Sequence, residues 1–326
     1  MHRTHCLFLA LRFGVASLWT LFLMVGAQSP PVFISLRPET NREVTFKLAA
    51  PSKSLFRVER SADLLDWTSL FSATSTGTNQ YTDAGAAFAG QRFYRALSLE
   101  PTHSLTGDHL ATSDGDVTIH PINHATLVLG WKGKLIYVDP VGGSGRFAGI
   151  GKADLILVTH DHGDHFDAAT INSVRGTNTV LIVTAVTKVQ LPIALRTNAM
   201  TQVMTNGASV SWLGLTVEAI PAYNLTSAYH PKGTGNGYVI TLGGRRIYCS
   251  GDTEDIPEMR ALQNIDVAFV CMNLPFTMPV NKAANIVRGF RPKIVYPYHF
   301  SDSNTQQFKN LVGTDLNIEV RIRKWY

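Results

Sequence analysis

The sequence predicts an α/β fold, a sheet-on-sheet core with helices outside it (an αββα sandwich), preceded by a small all-β sandwich module. Three observations carry this reading. In the second half of the chain, runs of strands are followed by strands alternating with helices, and this order occurs twice. Residues 30–99 instead hold short alternating runs rich in Ser and Thr, separated by turn clusters, without helical periodicity. Finally, 326 residues exceed what one small core needs, and 45% hydrophobic against 16% charged residues describes a globular chain rather than a disordered one.

The N-terminus carries Arg3 and Arg12, an almost unbroken apolar stretch from Val15 to Val25, and then Gly26-Ala27-Gln28. This pattern reads as an export signal over residues 1–27, cleaved after Ala27. The alternative is an uncleaved membrane anchor, because Leu7 to Val25 is long enough to span a bilayer if Arg12 is tolerated. Either reading places the protein outside the cytoplasm, periplasmic or extracellular. The net charge of +5 falls to +3 without Arg3 and Arg12, and no basic run with interleaved aromatics occurs, so nucleic acid is not an expected partner. No obligate protein partner is evident either. Cys6 lies in the signal; Cys249 and Cys271 lie in apolar strand-like runs, outside any CxxC, and read as buried free thiols, with a disulfide between neighbouring strands as the alternative.

Between residues 30 and 99, the runs Val44 to Leu48, Leu55 to Arg60 and Arg92 to Leu97 alternate as strands do, with Ser75 to Asn79 as a turn cluster. The stretches FRVERSADLLDWTSL and YTDAGAAFAGQRFYRAL resemble the fibronectin-type-III-like accessory modules of exported bacterial proteins. The module holds no clustered His, Cys or carboxylates, which favours a structural or adhesive role. Residues 100–115, with Pro101, Gly107 and Gly115, read as a linker to a second domain over 116–326.

That domain opens with a strand at Val117 to Ile119 and a hairpin, Ala125 to Trp131 turning through Lys132-Gly133-Lys134 into Leu135 to Val138. The glycines at 142–145 lack the Lys-Ser/Thr and helix of a phosphate loop. After Leu155 to Val158, the pattern gives a helix at Ala168 to Val174, a strand at Thr179 to Thr184, and a helix from Val186 to Leu195 broken near Pro192. Paired strands follow from Ser209 to Ile220, then a hairpin of Gly237 to Leu242 with Arg246 to Cys249. A strand at Asp266 to Cys271, a helix at Val280 to Phe290 and a strand at Lys293 to Tyr296 come next. The chain closes with a helix near Thr305 to Val312 and a strand at Ile318 to Ile322.

The chemistry concentrates at strand ends. The buried-strand run Leu155-Ile156-Leu157-Val158 delivers His160, His162, Asp164 and His165 into one loop, four metal-ligand types within six residues. Imidazole and carboxylate suit zinc, manganese or iron, and the spacing lets some ligands meet one ion while others meet a second. A solvated polar loop would have no reason to follow a buried strand with this spacing. Two later strands end in further ligand types: Ile247 to Cys249 runs into Gly251-Asp252-Thr253, and Ile294 to Tyr298 runs into His299. Alone, Asp252 would read as a turn or cap and His299 as a satisfied surface or core histidine.

HxHxDH at His160 to His165, Gly-Asp-Thr at Asp252 and His299, with NHATLVL and YVDP upstream, resemble the metallo-β-lactamase fold superfamily. Within it the likeness is to the branch of ascorbate-6-phosphate lactonase-like hydrolases and N-acyl phosphatidylethanolamine phospholipase D-like enzymes, and it covers about Leu105 to the C-terminus. The resemblance implies a dinuclear site: His160 and His162 on the first metal, Asp164 and His165 on the second, Asp252 bridging and His299 completing the second. Relatives place a third His of the first metal where this chain has Asn224. Asn224, water, or His230 from the following loop could fill that place, with His230 favoured; otherwise His230 faces substrate. Asp139 would accept the N–H of a ligand His, unless it only makes an Asp-Pro turn. His124 could be an outer or substrate group or a core histidine; Tyr223, Thr277 and Tyr298 could touch substrate or merely pack.

Two divalent ions, zinc first with manganese or iron as alternatives, would share a water whose pKa falls toward about 7. Asp164 or a second water would manage the leaving-group proton. The expected function is a metal-dependent hydrolase of an ester, lactone, amide or phosphodiester in a small-molecule or lipid-like substrate. The alternatives are a metal-bound scaffold without turnover, motivated by Asn224, and a di-iron oxidoreductase.

Overall fold

The computed structural model describes residues 7–12, 31–39, 43–52, 54–62, 64, 68–83, 86, 91–99, 105 and 107–326. The chain divides into two compact units, one of residues 1–102 with 107–111 and one of 103–106 with 112–326. Most of the expected export segment, and residues 100–104 and 106 of the expected linker, lie outside the described residues.

In the first unit, β1 (Leu7–Arg12), β4 (Leu55–Ser61), β5 (Thr68–Thr74) and β7 (Gln91–Leu99) form one sheet in the order β1-β7-β4-β5. A second sheet has the order β2-β3-β6, from β2 (Val32–Pro38), β3 (Val44–Ala49) and β6 (Thr78–Asp83). Strand β3 shows why two sheets form: Val44, Phe46 and Leu48 point inward while Lys47 is exposed, as a period of two requires. They pack with Phe56, Val58, Tyr94 and Ala96 in one core. The sequence assigns Leu7–Arg12 to the export segment; here it pairs antiparallel with β7, from Leu7 opposite Ala96 to Arg12 opposite Gln91. An apolar extended segment satisfies backbone groups that an open sheet edge would leave unpaired. The expected linker holds a short strand, β8 (Asp108–Leu110), because His109 and Leu110 are buried.

The second unit is built on two sheets. The first contains β9 (Val117–Asn123), β10 (Thr126–Trp131), β11 (Lys134–Val138), β12 (Ala153–Leu157), β13 (Arg175–Val183) and β14 (Thr201–Val203), side by side in that order. The second runs from β15 (Ser209–Trp212) and β16 (Leu215–Ala222) through β17 (Gly235–Leu242), β18 (Arg245–Cys249), β19 (Val267–Cys271) and β20 (Ile294–Tyr298) to β21 (Glu319–Val320). Each begins with antiparallel hairpins and ends with parallel pairs, which accounts for the twice-repeated order in the sequence. Three hairpins turn on two residues, Lys132–Gly133, Leu213–Gly214 and Gly243–Gly244, and all six residues have positive φ, the type I′ geometry that matches strand twist.

Strand β12 is buried on both faces. Ile156 and Val158 pack with Tyr137, Ile171, Val174, Leu181 and Leu195 under α1 (Ala168–Val174), α2 (Ala185–Gln190) and α3 (Ile193–Arg196). Leu155 faces the other way, toward Val210, Leu215 and Val217 of the second sheet. A parallel strand covered on both sides reads as a continuous apolar run, which is what Leu155 to Val158 is. Pro192 separates α2 from α3 as expected. On the second sheet lie α4 (Pro257–Arg260), α5 (Val280–Phe290), which buries Ala283, Ile286, Val287 and Phe290, and α6 (Thr305–Val312). Strand β14 has too few residues to leave a sequence signal. Cys249 and Cys271 are buried free thiols. Among the described residues, no helix is long and apolar enough to cross a membrane.

Because β11 and β12 run parallel, as do β18, β19 and β20, their C-terminal ends emerge at matching sheet edges. The residues picked out by the sequence sit there.

Candidate metal centre

The loop after β12 and the end of β11 are tied by one carboxylate. Asp139 accepts the Thr159 backbone N–H at 2.7 Å on Oδ1, and the Thr159 hydroxyl at 2.7 Å on Oδ2. His165 Nδ1 lies 2.7 Å from the same Oδ2, and both side chains are fully buried. Ionised carboxylate only accepts, so His165 carries its proton on Nδ1 and presents a lone pair at Nε2. The Thr159 hydroxyl spends its proton on Asp139 and therefore accepts from His160 Nδ1 at 3.0 Å. His160 is thereby also left with its lone pair at Nε2. His230 donates from Nδ1 to the Phe276 carbonyl at 3.1 Å, which turns a third Nε2 lone pair inward.

These atoms converge. His230 Nε2 is 3.2 Å from His162 Nδ1 and 3.3 Å from Asp252 Oδ2. His165 Nε2 is 3.3 Å from Asp252 Oδ1, and His299 Nε2 is 3.3 Å from Asp252 Oδ2 and 3.2 Å from Asp164 Oδ2. Asp252 thus stands between two groups of donors. Three sets have ligand atoms within 4.8 Å of one another: His160, His162 and His230; His160, His165 and Asp252; and His124, Asp164 and His299. His160 Nε2, His165 Nε2 and Asp252 Oδ1 are buried without a hydrogen bond. Buried polar atoms are seldom left so, and lone pairs aimed at a common point fit divalent cations.

The electrostatics agree at His160, His230, Asp252 and Asp164, and differ at His165. Burial, reinforced by the neighbouring His165, holds His160 well below its ordinary pKa, in the neutral form that binds metal. Burial likewise lowers His230. For Asp252, burial works upward but His299 and His165 outweigh it, keeping the carboxylate ionised. Burial also opposes ionisation of Asp164, and hydrogen bonds from His124 and His299 overcome it. At His165 burial favours the neutral ring, yet Asp252 and Asp139 draw positive charge to it. Three residues of this edge, His124, Asp139 and His299, have left-handed φ of 53°, 45° and 45° although none is glycine. Such backbone conformations are disfavoured by about 1–3 kcal/mol each and gather at functional sites.

A cleft of about 550 Å³ lies among the segments that follow β19 and His299, lined by Asn273, Leu274, Asn281, Ser301, Asp302 and Gln307 among others. Its two walls start at the backbone bond from Met272 N–H to the His299 carbonyl, at 3.3 Å.

A family model described as a beta-lactamase superfamily domain matches residues 118–299, more than half of the chain. The chain belongs to the metallo-β-lactamase superfamily. Its domain runs from β9 to His299, so it contains every residue of the centre described above. A metal-dependent hydrolase of the UPF0173 group from Pyrococcus abyssi is 32% identical over 178 residues, 51% of this chain and 77% of the relative. Its counterpart from Thermus thermophilus is 31% identical over 195 residues, 57% of this chain and 84% of the relative. Among solved structures, one from Parabacteroides distasonis, described as a metal-dependent hydrolase, is 39% identical with a TM-score of 0.62, covering 68% of this chain and 99% of its own. The metallo-β-lactamase fold protein YhfI of Bacillus subtilis shares the fold at 14% identity and a TM-score of 0.51, covering 62% of this chain and 89% of its own.

Within this superfamily framework, the sequence-expected residues separate into groups. His160, His162, Asp164, His165, Asp252, His299 and His230 come together, and Asp139 holds His165. His124 lies beside Asp164, with Nε2 3.1 Å from its Oδ2. Asn224 turns its amide Nδ2 to the Phe276 carbonyl at 2.7 Å and to Ser227, so it shares with His230 the task of fastening one loop. For Tyr298, Tyr223 and Thr277, which the sequence allows either to touch substrate or to pack, the structure shows bracing contacts. Tyr298 is fully buried, and its hydroxyl accepts the Gly251 N–H at 2.8 Å, which positions the Asp252 loop. Tyr223 directs its hydroxyl to Glu258 at 3.0 Å and Lys232 at 3.2 Å, away from the histidines. Thr277 is buried and accepts the Asn273 N–H at 2.7 Å, a loop brace. Sequence reasoning missed Thr159, whose position just before His160 at a strand end was a usable signal, and Tyr326, which carried none.

Proposed function

We propose that this metallo-β-lactamase superfamily member is a two-ion hydrolase of an ester, lactone, amide or phosphodiester bond in a small-molecule or lipid-like substrate. Family membership and the UPF0173 relatives make it a metal-dependent hydrolase; the ion count, substrate bond and residue roles are our reading. The observation that carries it is the convergence of His160 Nε2, His165 Nε2 and Asp252 Oδ1, buried and without hydrogen bonds. His160, His162 and His230 would hold the first ion, Asp164, His165 and His299 the second, with Asp252 between them. Nitrogen and oxygen donors of this kind suit zinc first, then manganese or iron. When bound, such ions lower the pKa of a water to about 7 and polarise a substrate oxygen. Asp139 and Thr159 fix the tautomers of His165 and His160. Asp164, with its side chain 49% exposed, is the ligand residue that can pass a proton toward a leaving group. The cleft whose walls follow Met272 and His299, lined by amides and hydroxyls together with Leu274, Pro279 and Val280, is the natural seat for a substrate with both polar and apolar parts.

Asn224 would favour a scaffold without turnover; against that, His230 lies close enough to His160 and His162 to supply the third imidazole that Asn224 lacks. We further place the protein outside the cytoplasm on the strength of Arg3, Arg12 and the apolar stretch to Val25, and read residues 30–99 as a non-catalytic module; N-terminal sequencing of the protein from its host tests the export. The decisive functional measurement is metal content and hydrolysis across an ester, lactone, amide and phosphodiester panel, for wild type beside His162→Ala. Wild type should hold two equivalents of metal and turn over at least one class; full metal and activity in His162→Ala would refute the site.

A further inference from the structure

His124 occupies the turn between β9 and β10, held between two partners. Its Nδ1 lies 2.7 Å from the Tyr326 hydroxyl, and its Nε2 lies 3.1 Å from Asp164 Oδ2. The same hydroxyl oxygen accepts the backbone N–H groups of Phe300 at 3.1 Å and Ser301 at 2.7 Å. Amide N–H can only donate. A phenol has one proton to give and accepts up to two, so with both accepting positions filled the proton must go to the remaining neighbour, His124 Nδ1. The reverse arrangement, with a proton on Nδ1, would oblige one hydroxyl oxygen to accept three donors. A neutral imidazole whose Nδ1 accepts carries its proton on Nε2, facing Asp164.

We infer that Tyr326 is a positioning residue that locks His124 in its Nε2–H form, so that His124 donates to Asp164 instead of ligating a metal. Distance alone would count His124, Asp164 and His299 as a three-donor metal set. The tautomer removes His124 from it and makes it the group that aims the Asp164 carboxylate. A charge-assisted hydrogen bond to a ligating carboxylate is the usual means of fixing such a ligand. The surroundings hold the turn in register. His124 N–H donates to the Trp325 carbonyl at 2.8 Å, and His299 N–H donates to the His124 carbonyl at 3.1 Å. The His124 and His299 rings lie 3.8 Å apart between centroids, so a ring flip would displace a proposed ligand.

The orienting role rests on the reading that Asp164 holds a metal, whereas the tautomer does not. The test is nitrogen NMR of protein labelled with 15N-histidine, metal-free and metal-loaded, with His124 assigned by its loss in His124→Gln. We expect an unprotonated Nδ1 and a protonated Nε2 in both forms. In Tyr326→Phe this signature should give way to mixed tautomers, and kcat should fall about 10–100-fold, the usual effect of losing an outer partner, with KM little changed. His124→Gln, whose amide NH₂ can still donate to Asp164, should keep the wild-type metal content. An unprotonated His124 Nε2, an unchanged spectrum in Tyr326→Phe, or metal loss in His124→Gln would each overturn the inference. If wild type bound no metal, the hydrolase reading would fall, and the spectrum of the metal-free protein would still decide the tautomer.

Discussion

His165 Nδ1 and Asp139 Oδ2 meet at 2.7 Å with both side chains fully buried. Three donors, the N–H and O–H of Thr159 and the His165 Nδ1–H, converge on that one carboxylate. Asparagine offers a single acceptor oxygen, so Asp139→Asn leaves a donor unmatched and frees the His165 ring to change tautomer. We expect metal affinity or activity to fall about 10–100-fold while the chain still folds. Metal titration alongside circular dichroism checks this; undiminished affinity would mean that Asp139 is only a turn residue.

His230 and Asn224 can be told apart by their products. His230→Ala removes an imidazole from the set with His160 and His162 and is expected to lose one metal equivalent and most activity. Asn224→Ala removes the amide donor to the Phe276 carbonyl, so it should lower stability by about 1 kcal/mol and keep the metal. Elemental analysis and urea denaturation of both variants make the comparison, and metal loss confined to Asn224→Ala would reverse the assignment.

Tyr298→Phe should behave as a loop defect rather than a binding defect. It strips the acceptor from the buried Gly251 N–H, next to Asp252, at an expected loss of about 1–3 kcal/mol of stability. Thermal melting should show the loss with KM little altered, whereas a large rise in KM at unchanged stability would restore Tyr298 as a substrate contact.

Acid stability should depend on Asp266, just ahead of β19. Burial pulls its pKa upward, but the Arg246 N–H at 2.9 Å, Lys293 at 2.9 Å and Arg245 at 3.0 Å outweigh that and hold it below the ordinary value. A carboxyl depressed in the folded state stabilises the fold above its unfolded pKa of about 3.9, and this stabilisation disappears as pH falls through the folded value. Asp266→Asn is therefore expected to be about 1–3 kcal/mol less stable at pH 7, with the gap closing below pH 4. Denaturation curves at both pH values provide the check, and a gap independent of pH would exclude the linkage.

Much of the fold, and the gathering of the centre's residues at strand ends, is legible in the sequence, for physical reasons that differ by residue. Leu155 to Val158 announces a strand covered on both faces, and the polar loop behind it can only lie at a sheet edge. Asp252 and His299 are readable because they, too, follow apolar strands. His230 was one alternative among several, since a loop's reach depends on closures, such as the Phe276 carbonyl, that no periodicity encodes. Tyr298 stays open between substrate contact and packing in the sequence, because alternation tells which face a side chain takes, not how deeply the face is covered. Tyr326 meets His124 across 202 positions of sequence, a contact made by tertiary folding alone.

His124, Asp139 and His299 share an unfavourable left-handed backbone, and this sets a trade-off for anyone reshaping the protein. Glycine or asparagine would relax the backbone at these positions, but would give up the hydrogen bonds of the side chains removed, the buried Asp139 carboxylate above all, so the gain is offset within the site itself. Each such change would also dismantle the rim of the metal centre. Thermal robustness in this chain is better sought in the sheets and helices beneath, leaving the working edge under tension.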